Sequence, residues 1–279
     1  MLLLVCTSLV WGCTWIPLKA FVGTSLEGAA LMAVAYGAVA VTGWLLGRRW
    51  WCVPGNDLRA LVGIGLLGGY ASIAFNLSVM YGEVVRMMSL FYTLPVWAVL
   101  GGRLFLGERF TPARLLAVAF ALLGAWLILG GANLLAHPPT WLDALALSAG
   151  FAFSMNNIVF RATAARPLPA KILAMFSGSA LLSLAILLVG LQAWPRDAAP
   201  LQLGLGIAFG FGWLLLANIG TQWSVTRLEA GRAAVIIILE LVAAVVTSMW
   251  LLGTQLSSTE WCGALLILLA AWLEARGQH

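Results

Sequence analysis

The sequence predicts an all-α integral membrane protein of ten transmembrane helices, built as two inverted five-helix repeats. Three observations carry that expectation: the composition, the loop-to-loop alternation of basic residues, and a sparse internal repeat. Of 279 residues 62% are hydrophobic and only 9% are charged. Crossing the hydrocarbon takes about 20 apolar residues in a helix, and stretches of that kind recur along the whole chain, which marks a polytopic membrane protein.

The opening segment to Pro17 lacks a basic n-region and a small-residue cleavage site, so it reads as a retained span and not as a secretory signal. Spans two and three are Gly28 to Gly47 and Ala60 to Gly82; span five is Leu115 to Ala136; spans seven and eight are Ile172 to Trp194 and Leu201 to Thr226. None of these holds a charge. Span four (Met87 to Gly102), span six (Ala144 to Phe160), span nine (about Ala233 to Leu252) and span ten (Ser257 to Leu273) are shorter or carry a polar interruption. Connections of a few to about a dozen residues leave no room for a soluble domain.

Helix starts follow from capping chemistry. Thr24 with Glu27 and Ser257 with Glu260 have capping-box spacing, and Thr111-Pro112 offers an N-cap followed by proline in the first turn. These predict the starts of spans two, ten and five. Cys6, Cys13, Cys52 and Cys262 are scattered, without a CxxC pair or a histidine at ligand spacing, so no metal site and no disulfide framework is expected.

The basic residues fix the orientation. Counted from a cytoplasmic N-terminus, the inside connections hold Arg48, Arg49, Arg59, Arg103, Arg109, Arg114, Arg161, Arg166, Lys171, Arg227, Arg232 and Arg276, and the outside holds Lys19, Arg86 and Arg196. Twelve against three is a positive-inside bias that places both termini in the cytoplasm and the link near His137 outside. Trp50, Trp51, Trp141, Trp194, Trp250 and Trp261 lie near span ends, where indoles favour the interface.

A shift of 146 residues aligns Glu83 with Glu229, Arg86 with Arg232, Gly107 with Gly253, Thr111 with Ser257 and Trp126 with Trp272. A shift of 142 lays LVWGCTWIPLKA over FAFSMNNIVFRA. Residues 1–136 and 137–279 therefore read as one five-helix unit used twice. An odd unit inverts on repetition, which is the plan of many secondary transporters, with a site near midplane between the copies.

Here the sequence resembles a known family. LPVWAVLGGRLFLGERFTPARLLAVAFALLGAWLILGG is similar to the signature half of the EamA-type drug/metabolite transporter superfamily, and VWGCTWIPLK resembles its first helix. Within it the chain most resembles the YddG-type exporters of aromatic and other neutral amino acids. The resemblance implies a bacterial inner-membrane exporter of such metabolites working by alternating access, or, as the second reading, a carrier of drugs or other metabolites. The second copy departs from the pattern: it reads Leu239-Glu240-Leu241-Val242 where the family often has L-E-P-V, and Leu252-Gly253-Thr254 in place of L-G-E.

Glu240 stands in an otherwise apolar run, and acidic residues at such depth face a bundle interior or a wet cavity. It either meets a substrate amine, changes protonation during transport, or ties span nine to a neighbouring helix. Asn76, Asn156, Asn157, Asn218 and Gln222 are the amides that join helices or receive the charged ends of an amino acid, with Asn76 and Gln222 equivalent under the 146 shift. Trp15, Phe75, Phe91, Tyr92, Trp97 and Phe153 lie deep enough to line an aromatic pocket or to pack against lipid and core. No G-x-x-x-x-G-K-[ST] loop occurs, so direct use of ATP is excluded, and no cofactor or nucleic-acid partner is expected. The only histidines, His137 and His279, form no catalytic cluster, and no pore-filter sequence is present, which sets enzyme and channel readings behind a carrier.

Overall fold

The computed structural model describes residues 1–47, 55–82, 84–109, 111–128, 130, 138–252 and 257–276. Arg48, Arg49, Trp50, Trp51, Cys52, Glu83, His137, Gly253, Thr254 and His279 lie outside the described residues.

Every regular element among the described residues is helical. In the first half these are α1 (Leu2–Gly12), α2 (Trp15–Ala20), α3 (Gly28–Leu46), α4 (Gly55–Tyr81), α5 (Val84–Phe91), α6 (Leu94–Leu106) and α7 (Pro112–Ile128). The second half holds α8 (Trp141–Ala162), α9 (Leu168–Leu188), α10 (Pro200–Phe209), a π-helical turn (Gly210–Leu215), α11 (Leu216–Val225), α12 (Ala230–Ile237), α13 (Leu239–Leu252) and α14 (Ser258–Arg276). Among the described residues seven stretches are long and apolar enough to cross a membrane, and three further apolar helices, Leu94–Leu106, Pro112–Ile128 and Ser258–Leu273, are shorter. The protein is multi-pass. Trp141, Trp194, Trp250 and Trp261 are exposed at or near helix ends, as indoles at a lipid interface would be.

Capping holds in part. Ser257 and Glu260 form their reciprocal pair, with the Glu260 carboxylate accepting the Ser257 amide at 2.7 Å and the Ser257 hydroxyl accepting the Glu260 amide at 3.3 Å. Thr111 accepts from the Arg114 amide at 3.2 Å. The expected box at Thr24 does not form, because α3 starts only at Gly28, with Glu27 as its N-cap and its carboxylate turned back to the Gly23 amide. A box not foreseen, Thr140 with Asp143, opens α8.

Helices break inside several apolar runs, and two of these breaks are related by the repeat. The first break, Tyr92-Thr93, separates α5 from α6, whose first turn carries Pro95. The second, at Ile238, separates α12 from α13 and lies 146 residues later, with no proline in the turn. Four β-branched residues, Val235 to Ile238, precede it, and β-branched side chains lose rotamer freedom in a helix. The interruption is therefore present although this chain has Leu241 where the family often has proline.

Glycines let the halves meet backbone to backbone. The packing pairs are α7 with α14, α4 with α8 and α9, α3 with α9, α6 with α8, and α1 with α13 and α11. A Cβ on Gly178 of α9 would collide with the Gly65 carbonyl of α4, one on Gly210 would meet the Ala35 carbonyl of α3, and one on Gly12 the Glu240 carbonyl. Small residues at crossings allow such approach in membranes, where apolar burial does not drive helix association. Gly178→Ala is expected to lower the thermal midpoint of the purified protein by several degrees, since the clash is with backbone that cannot rotate away; overpacking of this kind costs about 1–3 kcal/mol. An unchanged midpoint in a detergent melt would show that α4 and α9 slide apart freely.

Candidate functional site

The two helix breaks build the centre of the molecule. Ending α5 at Phe91 turns Tyr92 inward, fully buried, and starting α13 at Leu239 places Glu240 in that helix's first turn. Unpaired backbone N–H groups give a helix N-terminus a partial positive charge, which favours a carboxylate there. The Tyr92 hydroxyl donates to Glu240 Oε2 at 3.0 Å. Those two features answer how a carboxylate persists in VIIILELVAA.

Beside this pair lies a narrow cavity bounded by Trp11, Ser72, Phe75, Asn76, Phe91, Phe153, Met175, Asn218 and Glu240. Its volume is about 40 Å³, room for a few waters and well short of the roughly 300 Å³ or more of a small-molecule pocket. Phe91 is the hub of its aromatic wall, 4.4 Å from Phe75, 5.5 Å from Tyr92 and 5.7 Å from Phe153 between ring centroids.

Of the residues singled out from sequence, Phe75, Asn76, Phe91, Phe153, Asn218 and Glu240 line this cavity and Tyr92 backs it. Asn156 is fully buried close by, against Gly68 and with neither amide atom hydrogen-bonded. Asn157 and Gln222 bond each other at 3.5 Å outside the cavity wall. Trp15 and Trp97 point elsewhere: Trp15 donates to Thr247 of α13 at 3.2 Å, and Trp97 bonds Thr93 and sits edge-on to the exposed Phe151. Sequence reasoning did not put Trp11, Ser72 and Met175 in the site. The internal repeat held the signal for two of them, because Trp11 lies over Phe153 under the 142 shift and Ser72 over Asn218 under the 146 shift.

The same two shifts link contacts as well as residues. Ser154 Oγ donates to the Leu94 carbonyl at 2.9 Å, and the related position Gly12 abuts the carbonyl of Glu240, the residue related to Leu94. With helices, breaks and crossings in place, comparison with known proteins becomes informative. The sequence profile of the EamA-like transporter family matches residues 1–130 and 140–275. The chain belongs to the EamA-like transporter family. A solved structure described as "Crystal structure of protein" has the same fold, with a TM-score of 0.78 over 99% of this chain and 97% of that one at 18% identity. No curated protein matches the sequence.

This EamA-like transporter carries a second polar cluster where α6 ends, α7 begins, α8 ends and α12 begins. Gly107, in the left-handed region at φ 67°, closes α6 and turns Glu108 inward. The Glu108 carboxylate accepts the Ala230 amide with both oxygens, at 3.0 and 3.1 Å, and pairs with Arg161 at 2.9 Å. Arg114 lies 4.0 Å from it and pairs with Glu229, while Arg161 also donates to the Leu228 carbonyl. Gly102 leaves the space this carboxylate uses: a Cβ there would stand 2.8 Å from Glu108 Oε2. The Glu108 of the LGE stretch is thus a clasp between the two halves, a role that its place in the motif did not disclose. Another ion pair, Arg86 with Asp143 at 2.7 and 2.8 Å, joins the start of α5 to the start of α8.

Proposed function

We propose that this chain is a secondary carrier of small neutral amino acids, aromatic ones foremost, exported across the bacterial inner membrane by alternating access. In this reading ten spans form two inverted units, residues 1–136 and 137–279, with both termini cytoplasmic. The two broken helices, α5–α6 and α12–α13, are the fourth and ninth spans, and α10 through α11 is the eighth. The observation that carries the reading is the central cavity between the halves: it unites a carboxylate, four aromatic rings and two amides, one of them with an unpartnered oxygen at Asn76, and it is lined by positions that the repeat relates to one another. Its narrowness supports a carrier, because a cavity of about 40 Å³ cannot hold a ring without rearrangement of its walls.

Rocking of one bundle against the other around a fixed midplane site would supply that rearrangement. The backbones meet closely at Gly65, Gly178 and Gly210, so these crossings are where the bundles would move against each other. Purified protein in liposomes is expected to show saturable uptake of labelled phenylalanine that is accelerated by unlabelled phenylalanine on the far side. Flux without saturation or exchange would indicate a channel. Absence of flux for every amino acid, with saturable exchange of another amphipathic metabolite, would move the cargo to the second reading and keep the carrier.

A further inference from the structure

We propose that the cavity selects cargo by charge: it admits molecules that bring a protonated amine to Glu240 and rejects those whose only charge is a carboxylate. The proposal rests on the carrier reading above and names the feature of the cargo that the same site reads.

Three observations point the same way. Among the described residues lining the cavity, Glu240 is the one ionisable side chain, and none is Lys, Arg or His. A buried carboxylate with no cation beside it is costly, and a ligand ammonium removes that cost where a ligand carboxylate adds to it. The wall is otherwise aromatic, through Trp11, Phe75, Phe91 and Phe153, and ring faces attract cations and not anions.

The third observation is an unpartnered acceptor on the cavity wall, Asn76 Oδ1. The Asn76 amide is oriented by its Nδ2, which donates to the Ser72 carbonyl at 2.7 Å and leaves Oδ1 for a ligand. An ammonium has three donors and no acceptor, so it can satisfy both Glu240 and this oxygen; a carboxylate is all acceptor and can satisfy neither. The amine is therefore the feature recognised, and the carboxylate of an amino acid is tolerated.

Three compounds with one phenylethyl body separate the groups: phenethylamine carries the amine alone, phenylalanine both, and 3-phenylpropionate the carboxylate alone. Binding to the purified full-length protein in detergent, read by calorimetry at neutral pH, should rank them in that order. Phenethylamine is expected to bind about tenfold or more tightly than phenylalanine, and 3-phenylpropionate not detectably. In Glu240→Gln the amine should lose about tenfold or more in affinity while the protein keeps its melting temperature. Equal binding of amine and acid, or tighter binding of phenylalanine than of phenethylamine, overturns the proposal, as does a folded Gln variant that retains the amine preference. Loss of saturable flux with this binding order intact would instead overturn the carrier reading alone.

Discussion

Glu240→Leu is expected to abolish transport and lower the yield of folded protein, whereas Glu240→Gln should fold normally and still lose at least about nine-tenths of its flux. The two substitutions divide the carboxyl group's tasks. Glutamine keeps an oxygen for the Tyr92 hydroxyl, which donates at 3.0 Å in the wild type, so the bridge between α5–α6 and α13 survives. Leucine removes it and strands a fully buried hydroxyl, at a cost of about 1–3 kcal/mol. What glutamine cannot do is take on negative charge at the first turn of α13 when a cation arrives. Initial rates in proteoliposomes, beside melting temperatures in detergent, check both. Wild-type flux in Glu240→Gln would reduce the residue to a tie between helices.

The extent to which the site was legible in the sequence follows from which forces act locally. Apolar length and basic-residue placement are properties of single segments meeting a bilayer, so helix positions such as Gly28–Leu46 could be read directly. The depth of Glu240 was legible for the same reason, since a carboxylate in an apolar run must face inward. Its partner was not, because Tyr92 lies 148 residues away and reaches it only through two helix breaks. Composition also cannot say which face an aromatic presents. Trp15 and Phe91 look alike in sequence, yet one bonds Thr247 and the other centres the cavity wall. Trp11 and Ser72 needed the repeat to be used as a map of the site: if Phe153 and Asn218 line a cavity between two related units, their counterparts face it too. The cap at Thr24 failed for a different reason: capping-box spacing places a start within a few residues, and the positive φ of Gly28 shifts it.

Glu108→Ala is expected to open the end of the carrier that the clasp holds, and to slow transport by about tenfold or more. In the wild type this carboxylate satisfies the α12 N-terminus through the Ala230 amide and neutralises Arg161, and it stands near Arg114, whose side chain is buried. Removing one member of a buried charged network leaves its partners uncompensated, which costs about 3–5 kcal/mol. Arg114 retains Glu229, so the loss falls on Arg161 and on the first turn of α12. Hydrogen exchange should therefore rise in Ala230–Ile237 and at the C-terminal end of α8, with the α4–α9 contact unchanged. Gly102→Ala should move the same amides in the same direction but less, because its methyl group displaces the carboxylate without deleting it. Position 254, related to Glu108 by the repeat, is threonine, so the sequence offers no second carboxylate for an equivalent clasp between the halves. If both variants leave exchange in Ala230–Ile237 and the transport rate at wild-type values, Glu108 is a static cap on α12 and the halves are held together elsewhere. If exchange rises and transport slows together, closing this end is a step that the transport cycle requires, and Glu108 is the group that closes it.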